Sequence, residues 1–486
     1  MSLIVLSNRI ARPKADEPIE GGLAAALLPA VQNSGAIWVG ASQRLQQTAE
    51  KESFAQIESF GAGAIATVDL PKAHYSGFYE GFSNSALWPV LHSRTDLIRT
   101  SNEDYVSYRE INSFMARALV RFAKPDATFW IHDYHYMMLA ADLRRLGVKQ
   151  PLGFFLHTPF PARNIFLSLP HHRELMRAML SYDLIGFQTE EDQANFADYL
   201  YHELGLKAVG GAYSAGQRQT RLATFPIGID ATTFAERAVK SATRAEVSRL
   251  RASLQGAQLA IGVDRVDYSK GLINRLQGFD RMLVTHPMLK RSVSLLQIAV
   301  PSRCQIDSYR QLQGELATLV SEINGRHGEV DWSPIRYLNK GFSQTKLAGF
   351  YRAAQVGLVT SLHDGMNLVA KEYVAAQNPS EPGVLVLSEF AGAAKQLDAA
   401  LLVNPHDIDG LARTISNAFA MPAEERRERW TTMMETLEAS SLHGWFSDFV
   451  SALHACAAQP RLVAQPAATL VPFKPRHEEM TAIHGG

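Results

Sequence analysis

Cysteine is nearly missing from this chain: two in 486 residues, Cys304 and Cys456. Such a pair cannot form the framework of a disulfide-stapled domain, and a reducing compartment, the cytoplasm, is the expected home. Net charge is missing as well. Lys and Arg number 48 and Asp and Glu number 48. The basic excess that coats nucleic acid or grips an acidic membrane is therefore absent, and neither partner is expected. No run of about 18 apolar residues occurs, so no membrane-spanning helix is expected. The apolar stretch in MSLIVLSNRIARP is too short for a signal-peptide core. What is abundant is core material. Hydrophobic residues make up 46% and charged ones 20%, which excludes a mainly disordered chain. At roughly 150 residues per domain, the length points to two or three domains.

Short apolar runs alternate with helical patterns. Leu3 to Leu6, Thr128 to Ile131, Gly153 to Leu156, Leu184 to Phe187, Leu259 to Val263, Leu295 to Val300, Gly357 to Thr360 and Val384 to Leu387 are apolar on both faces, as buried parallel strands are. Between them lie helical stretches such as Gly22 to Val31, with Leu23, Leu27, Ala30 and Val31 on one face. Repeated βα units predict an α/β fold of two doubly wound parallel sheets. The expected division is 1–240 for the first domain and 241–440 for the second. A closing helix over 441–458 returns to the first domain, and 459–486 form a poorly ordered tail.

Three motifs tempt and fail. Gly61-Ala62-Gly63-Ala64-Ile65-Ala66 matches a dinucleotide fingerprint, but the extended and then broken Thr67-Val68-Asp69-Leu70-Pro71 follows where a helix is required. A structural turn is the better reading, and a nicotinamide enzyme is disfavoured. Asp407-Ile408-Asp409 precedes a helical stretch and reads as capping rather than a metal pair. His132-Asp133-Tyr134-His135 has no accompanying cysteine or HExxH helix, so no metal is expected there.

Polar residues placed at the ends of apolar strands carry the chemistry, because parallel α/β sheets bind ligands at the carboxyl ends of their strands. Ile261 to Gly271 runs from a strand into a loop with Arg265 and Lys270, two cations that suit a diphosphate. Ser361 to Glu372 follows the next strand and opens a helix near Asn367, whose free N–H groups would face an anion. Asp364 could cap that helix or accept from sugar hydroxyls, and Glu372 could clamp two ribose hydroxyls or lie on an exposed face. In the first domain, Arg9, Asp133 and His157 each end or follow a strand and Gly21-Gly22 opens a helix; in the second, Arg303 follows Ala299 to Ser302. Tyr79 and Trp88 read as core or as ligand stackers.

Taken together, these segments resemble glycosyltransferase family 20, the trehalose-6-phosphate synthases. The likeness covers about residues 2 to 455. It runs through Leu6-Ser7-Asn8-Arg9, Gly21-Gly22-Leu23, Phe82-Ser83-Asn84, Leu87-Trp88-Pro89, Trp130 to His135, Phe154 to His157, Pro159-Phe160-Pro161, Asp267 to Gly271, Asp364 to Gln377 and Gly383 to Ala394. The resemblance implies a GT-B fold, two Rossmann-like domains facing a cleft, and transfer of glucose from UDP-glucose to glucose 6-phosphate with retention. It implies no cofactor and no metal, and a homodimer or homotetramer. By the same resemblance Arg265 and Lys270 hold the donor diphosphate. Gly21 and Gly22 approach it, Leu368, Val369, Ala370, Lys371 and Glu372 cover the nucleotide, and Phe342 meets the base. Asp364 and His157 orient the transferred glucose. Arg9 and Arg303 grip the acceptor phosphate, with Tyr79, Trp88 and Asp133 around its sugar.

The chain departs from the family pattern at Ala41, where a second Trp is usual after Trp38, and at Thr158, Val266 and His363, where Ile, Leu and Arg are common. Ala41 keeps open a transferase with another phosphorylated acceptor, such as a glycerol or cyclitol phosphate. A catalytically silent sugar-phosphate binder is the rival of a different class. The combination of Arg265, Lys270, Asp364, Glu372 and His157 speaks against it.

Overall fold

The computed structural model describes residues 2–10, 27–28, 31–47 and 54–458. Gly21, Gly22, most of the expected helix at 22–31 and the tail at 459–486 lie outside them. Strands β1 (Ser2–Arg9), β2 (Ile37–Gln46), β3 (Phe54–Phe60), β4 (Gly63–Pro71), β5 (Ala127–His132), β6 (Leu152–Phe155), β7 (Leu184–Phe187), β8 (Ala208–Val209), β9 (Ala212–Ala215) and β10 (Arg218–Thr224) form one sheet. Their order is β3-β4-β2-β1-β5-β6-β7-β10-β9-β8. Strands β11 (Gln258–Arg265), β12 (Val293–Val300), β13 (Ile335–Leu338), β14 (Val356–Val359), β15 (Val384–Ser388) and β16 (Leu401–Val403) form a second sheet, ordered β13-β12-β11-β14-β15-β16.

The central strands are buried on both faces, which is why their sequences do not alternate. Every residue of β5 is buried, and β11 and β12 are buried through their middles. The second sheet is parallel throughout. The first is parallel at its centre but antiparallel at both edges, where β3 pairs with β4 and β9 pairs with β8 and β10. Gly61, at φ +59°, turns the β3–β4 hairpin, so the glycine stretch leads into a strand and not into a nucleotide loop. Asp407 caps the helix Ile408–Ala420 by accepting from the Gly410 N–H at 2.8 Å. Among the described residues no helix is long and apolar enough to cross a membrane.

Two stretches of chain cross between the lobes. The first spans 225–230. The helix after it, Ala231–Ser241, already packs on the second lobe, with Phe234 near Tyr351 and Arg237 donating to Gln344 Oε1 at 2.7 Å. The division therefore falls ahead of the expected 240, because the apolar side of this helix finds its partners in the second lobe. The return crossing lies at Ser440 and Ser441, where Ser441 bridges to Ile229. The helix Leu442–Ala458 then lies on the first sheet, its Phe449 ring stacked 4.4 Å from Trp130.

Candidate active site

The order of the parallel strands in each sheet reverses at one place, and ligand crevices open at such switch points. In the second sheet the reversal separates β11 from β14. The loops after these strands carry the two segments with the densest polar chemistry, and they touch: Leu362 N–H donates to the Ser269 carbonyl at 2.7 Å. Gly271, at φ +61°, sits where any Cβ would lie 2.0 Å from the Thr360 carbonyl oxygen, so no other residue fits without moving this junction. In the first sheet the reversal lies between β1 and β5. Arg9 ends β1 and Asp133 directly follows β5.

At the second-lobe switch point Lys270 Nζ meets Asp364 Oδ2 at 2.5 Å, both side chains largely buried. Burial alone would raise the Asp364 carboxyl. The Lys270 charge outweighs it and holds the group below the usual carboxylate range. Ser361 and Asn367 donate to the same oxygen at 3.2 and 3.0 Å. Asp364 is thus the partner of Lys270, and the cap of the following helix is Asn367, whose side chain accepts from Ala370 N–H at 3.2 Å. Beneath the loop, fully buried Arg275 pairs with Asp264 at 2.7 Å and donates to Thr360 and Gln297, tying β11, β12 and β14 together. Arg265 reaches further out, its guanidinium 5.6 Å from the Trp88 ring of the first lobe.

The helix Leu368–Ala376 begins beside this pair. Leu368 and Val369 are half-buried in its first turn, and Ala370 is buried. Burial raises the Glu372 carboxyl to about 7 against the pull of Arg237. It has no hydrogen-bond partner among the described residues, so its oxygens are available to a ligand. The Lys371 side chain turns away from this surface and donates to the Ile227 carbonyl at 2.6 Å. Phe342, half-buried after β13, packs edge-on to Phe350.

The first lobe faces this cradle with aromatic rings and Arg9, and Arg303 of the second lobe reaches in among them. Arg9 donates to the Tyr79 hydroxyl at 2.9 Å. Trp88 Nε1 reaches across to Asp267 Oδ1 at 3.4 Å, and Arg303 lies 3.9 Å from the Trp88 ring centre. Arg303 also donates to Asp267 at 3.2 Å and to the Tyr134 hydroxyl at 3.1 Å. Asp267 is fully buried. Burial opposes its charge, but Arg303, Arg265 and Lys270 together keep its carboxyl well below the usual range. Asp133 accepts from His157 N–H at 3.3 Å, and burial pushes its carboxyl up to about 6.

His157 is held by a chain whose polarity is fixed. Gln188 Oε1 accepts from Ile227 N–H at 2.9 Å, which leaves Gln188 Nε2 to donate to His157 Nδ1 at 3.1 Å. His157 Nε2 then donates to His132 Nδ1 at 3.0 Å. Burial lowers His157 to about 3 and lowers His132 as well. Both rings are neutral near pH 7, and both His157 nitrogens are occupied within the protein, so the ring shapes the wall and is not placed to exchange a proton with a substrate. Its carbonyl abuts Gly365 of the other lobe, where a Cβ would sit 2.1 Å from it.

The structure thus gathers Arg265, Lys270, Asp364, Trp88, Arg303, Asp133 and His157 at one cleft, with Arg9 and Tyr79 at its first-lobe end and Glu372 on the helix that Asn367 links to Asp364. Asp267, Tyr134, Tyr309 and Gln188 were not singled out by the sequence. Asp267 stands two residues after Arg265, so its motif pointed to it, whereas nothing marked Tyr309. Beside Arg9, Ala41 lines a cavity of about 280 Å³ together with Asn8, Arg44, Leu45, Leu70 and Tyr75. Thr158 Oγ1 is buried with no partner among the described residues. His363 reaches Ser93 of the first lobe at 3.4 Å.

Residues 8–455 match glycosyltransferase family 20. The trehalose-6-phosphate synthase of Sinorhizobium fredii is 43% identical over 456 residues, covering 93% of this chain and 98% of that one. The fold superposes with a TM-score of 0.90 on a UDP-forming α,α-trehalose-phosphate synthase from Burkholderia xenovorans in complex with glucose 6-phosphate. That protein is 41% identical, over 93% of this chain and all of that one. An E. coli structure bound with UDP-2-fluoro glucose superposes at 0.87 with 37% identity, covering 93% and 99%. The two facing sheets are those of a GT-B glycosyltransferase, and the chain belongs to glycosyltransferase family 20.

Proposed function

We propose that this enzyme transfers glucose from UDP-glucose to glucose 6-phosphate, giving α,α-trehalose 6-phosphate and UDP with retention of configuration. One observation carries the reading. A cation cradle at the switch point of one sheet, Arg265 and Lys270, adjoins an arginine and aromatic cluster that both lobes build, Arg303 from its own lobe and Trp88 and Tyr134 from the facing one. The first suits a diphosphate and the second a phosphorylated sugar. Relatives of the same fold hold a UDP-glucose analogue and glucose 6-phosphate.

Among the described residues, the two carboxylates nearest the cations are not free as the paired carboxylates of glycosidases are. Asp364 is committed to Lys270, and Asp267 to Arg303. On this reading the acceptor C1 hydroxyl attacks the donor C1 from the face the diphosphate leaves. The bond from C1 to the β-phosphate oxygen breaks, the new glycosidic bond forms, and the hydroxyl proton passes to the departing phosphate oxygen. Arg265 and Lys270 neutralise the charge that grows on that oxygen, so the reading needs no metal and no cofactor. Glu372 takes the ribose hydroxyls and Phe342 the base.

Arg265→Ala should cost about 3 kcal/mol of transition-state stabilisation, read as a fall of roughly two orders of magnitude in kcat/KM. The experiment that tests the whole reading offers the purified protein UDP-, ADP- and GDP-glucose with glucose 6-phosphate, and glycerol or cyclitol phosphates as control acceptors. Mass and anomeric linkage identify the product. UDP release only with the control acceptors would overturn it. The reading also places the enzyme in the cytoplasm, which its two free cysteines favour, and as a homodimer or homotetramer, which light scattering can decide.

A further inference from the structure

Lys371 is fully buried, and its side-chain nitrogen pairs with no carboxylate among the described residues, so burial lowers it to about 7. It donates to two neutral oxygens, the Ile227 carbonyl and Gln396 Oε1, each at 2.6 Å. An apolar side chain would fill this space at lower cost, so packing alone does not account for a lysine. What distinguishes its partners is where they lie. Ile227 belongs to the first crossing between the lobes. Gln396 donates onward to Ser440 Oγ at 3.4 Å, on the second crossing. The two crossings meet there, with Ser441 bridged to Ile229 and Gly228 so close that a Cβ would lie 1.9 Å from the Ser440 carbonyl. Ile227, whose carbonyl accepts from Lys371, also donates through its N–H to Gln188, which holds His157.

We propose that Lys371 is a positioning residue: its Nζ, through two hydrogen bonds, clamps the helix Leu368–Ala376 to both crossings, and so keeps the nucleotide face of the second lobe in register with His157 of the first. The continuous path is Asn367 and the helix start, Lys371, Ile227, Gln188, His157. The clamp rests on reading the cleft as the site of a sugar nucleotide. UDP touches one end of this path, whereas transfer needs both.

The test compares Lys371→Met with the wild type in the full chain. UDP affinity by calorimetry should stay within about 3-fold, while kcat with UDP-glucose and glucose 6-phosphate falls by about 10-fold or more. Gln396→Met, which cuts only the link to the second crossing, should lower kcat by about 3-fold with UDP affinity again kept, and it carries the test if Lys371→Met does not fold. Equal losses in UDP affinity and kcat would assign Lys371 to the nucleotide pocket alone and overturn the clamp. No loss in either would do so too. If the wild type releases no UDP, the functional reading fails on its own. The clamp is then judged by small-angle scattering, in which UDP compacts the wild type and not Lys371→Met; equal compaction overturns it.

Discussion

Asp133 sits at φ +72° and ψ 166°, a backbone region that glycine occupies freely and a residue with a Cβ does not. Arg303 at φ +49° and Asn367 at φ +78° are also strained, and all three belong to the cleft. Such strain costs about 1–3 kcal/mol per residue and is retained where a side chain must point at a ligand. Asp133→Gly should therefore stabilise the protein, by about 1 kcal/mol after loss of the bond to His157 N–H, while transfer to glucose 6-phosphate falls by at least about 10-fold. Urea unfolding and initial rates measure the two sides, and a variant both less stable and fully active would remove Asp133 from the site. Glu372 is displaced in its titration, raised by burial to about 7 from an ordinary 4.5. The ligand-free protein thus gains stability from the protonated form at low pH and loses it as pH rises through about 7. A ribose clamp needs the carboxylate, so UDP affinity should rise with pH up to about 7 and then level. Glu372→Gln should bind more weakly and lose that slope. Calorimetry between pH 5.5 and 8 decides it.

At the scale of elements, the loop after β14 is the part that closes on the first lobe. Gly365 is there because the His157 carbonyl leaves no room for a Cβ. Gly365→Ala should leave both lobes folded and UDP bound, yet hold the cleft ajar and reduce kcat by about 10-fold or more; an unchanged kcat would show that the lobes react without this contact. The same loop shows what a sequence can reveal. The central strands were legible because burial on both faces writes an unbroken apolar run, as in Leu295 to Val300. The strands beyond β7 were not: β10, which pairs with β7 and β9, reads Arg218-Gln219-Thr220-Arg221-Leu222-Ala223-Thr224, a half-exposed pattern with no apolar run. Site residues were legible where a polar group ends such a run, as Arg9, Asp133, His157 and Arg265 do. The cluster around Asp267 was not, because its partners Arg303, Tyr309 and Trp88 lie 36, 42 and 179 positions away and only folding brings them together. The resemblance named Arg303 and Trp88 without revealing that one buried carboxylate joins them.

The whole molecule is held together by a chain that crosses between its lobes twice. Its last described helix, Leu442–Ala458, returns to the first lobe and covers part of the first sheet, whose strands all precede the second lobe. Phe449 is the centre of that return. Its ring stacks on Trp130 and fills the space left by Gly153 and Gly186, where a Cβ would come within 2.8 Å of it. Trp445 and Leu453 flank it, both buried. The second crossing is thus anchored at both ends, by Gln396 on the second lobe and by this aromatic seat on the first. Phe449→Ala removes a fully buried ring and leaves a cavity that two glycines cannot fill, so it should cost about 3–5 kcal/mol. The loss should appear in urea unfolding monitored by the tryptophans of the first lobe, and it should precede any loss of UDP binding, which depends on residues of the second. Simultaneous loss of both signals at a lower urea concentration would instead mean that the two lobes unfold as one unit through the crossings.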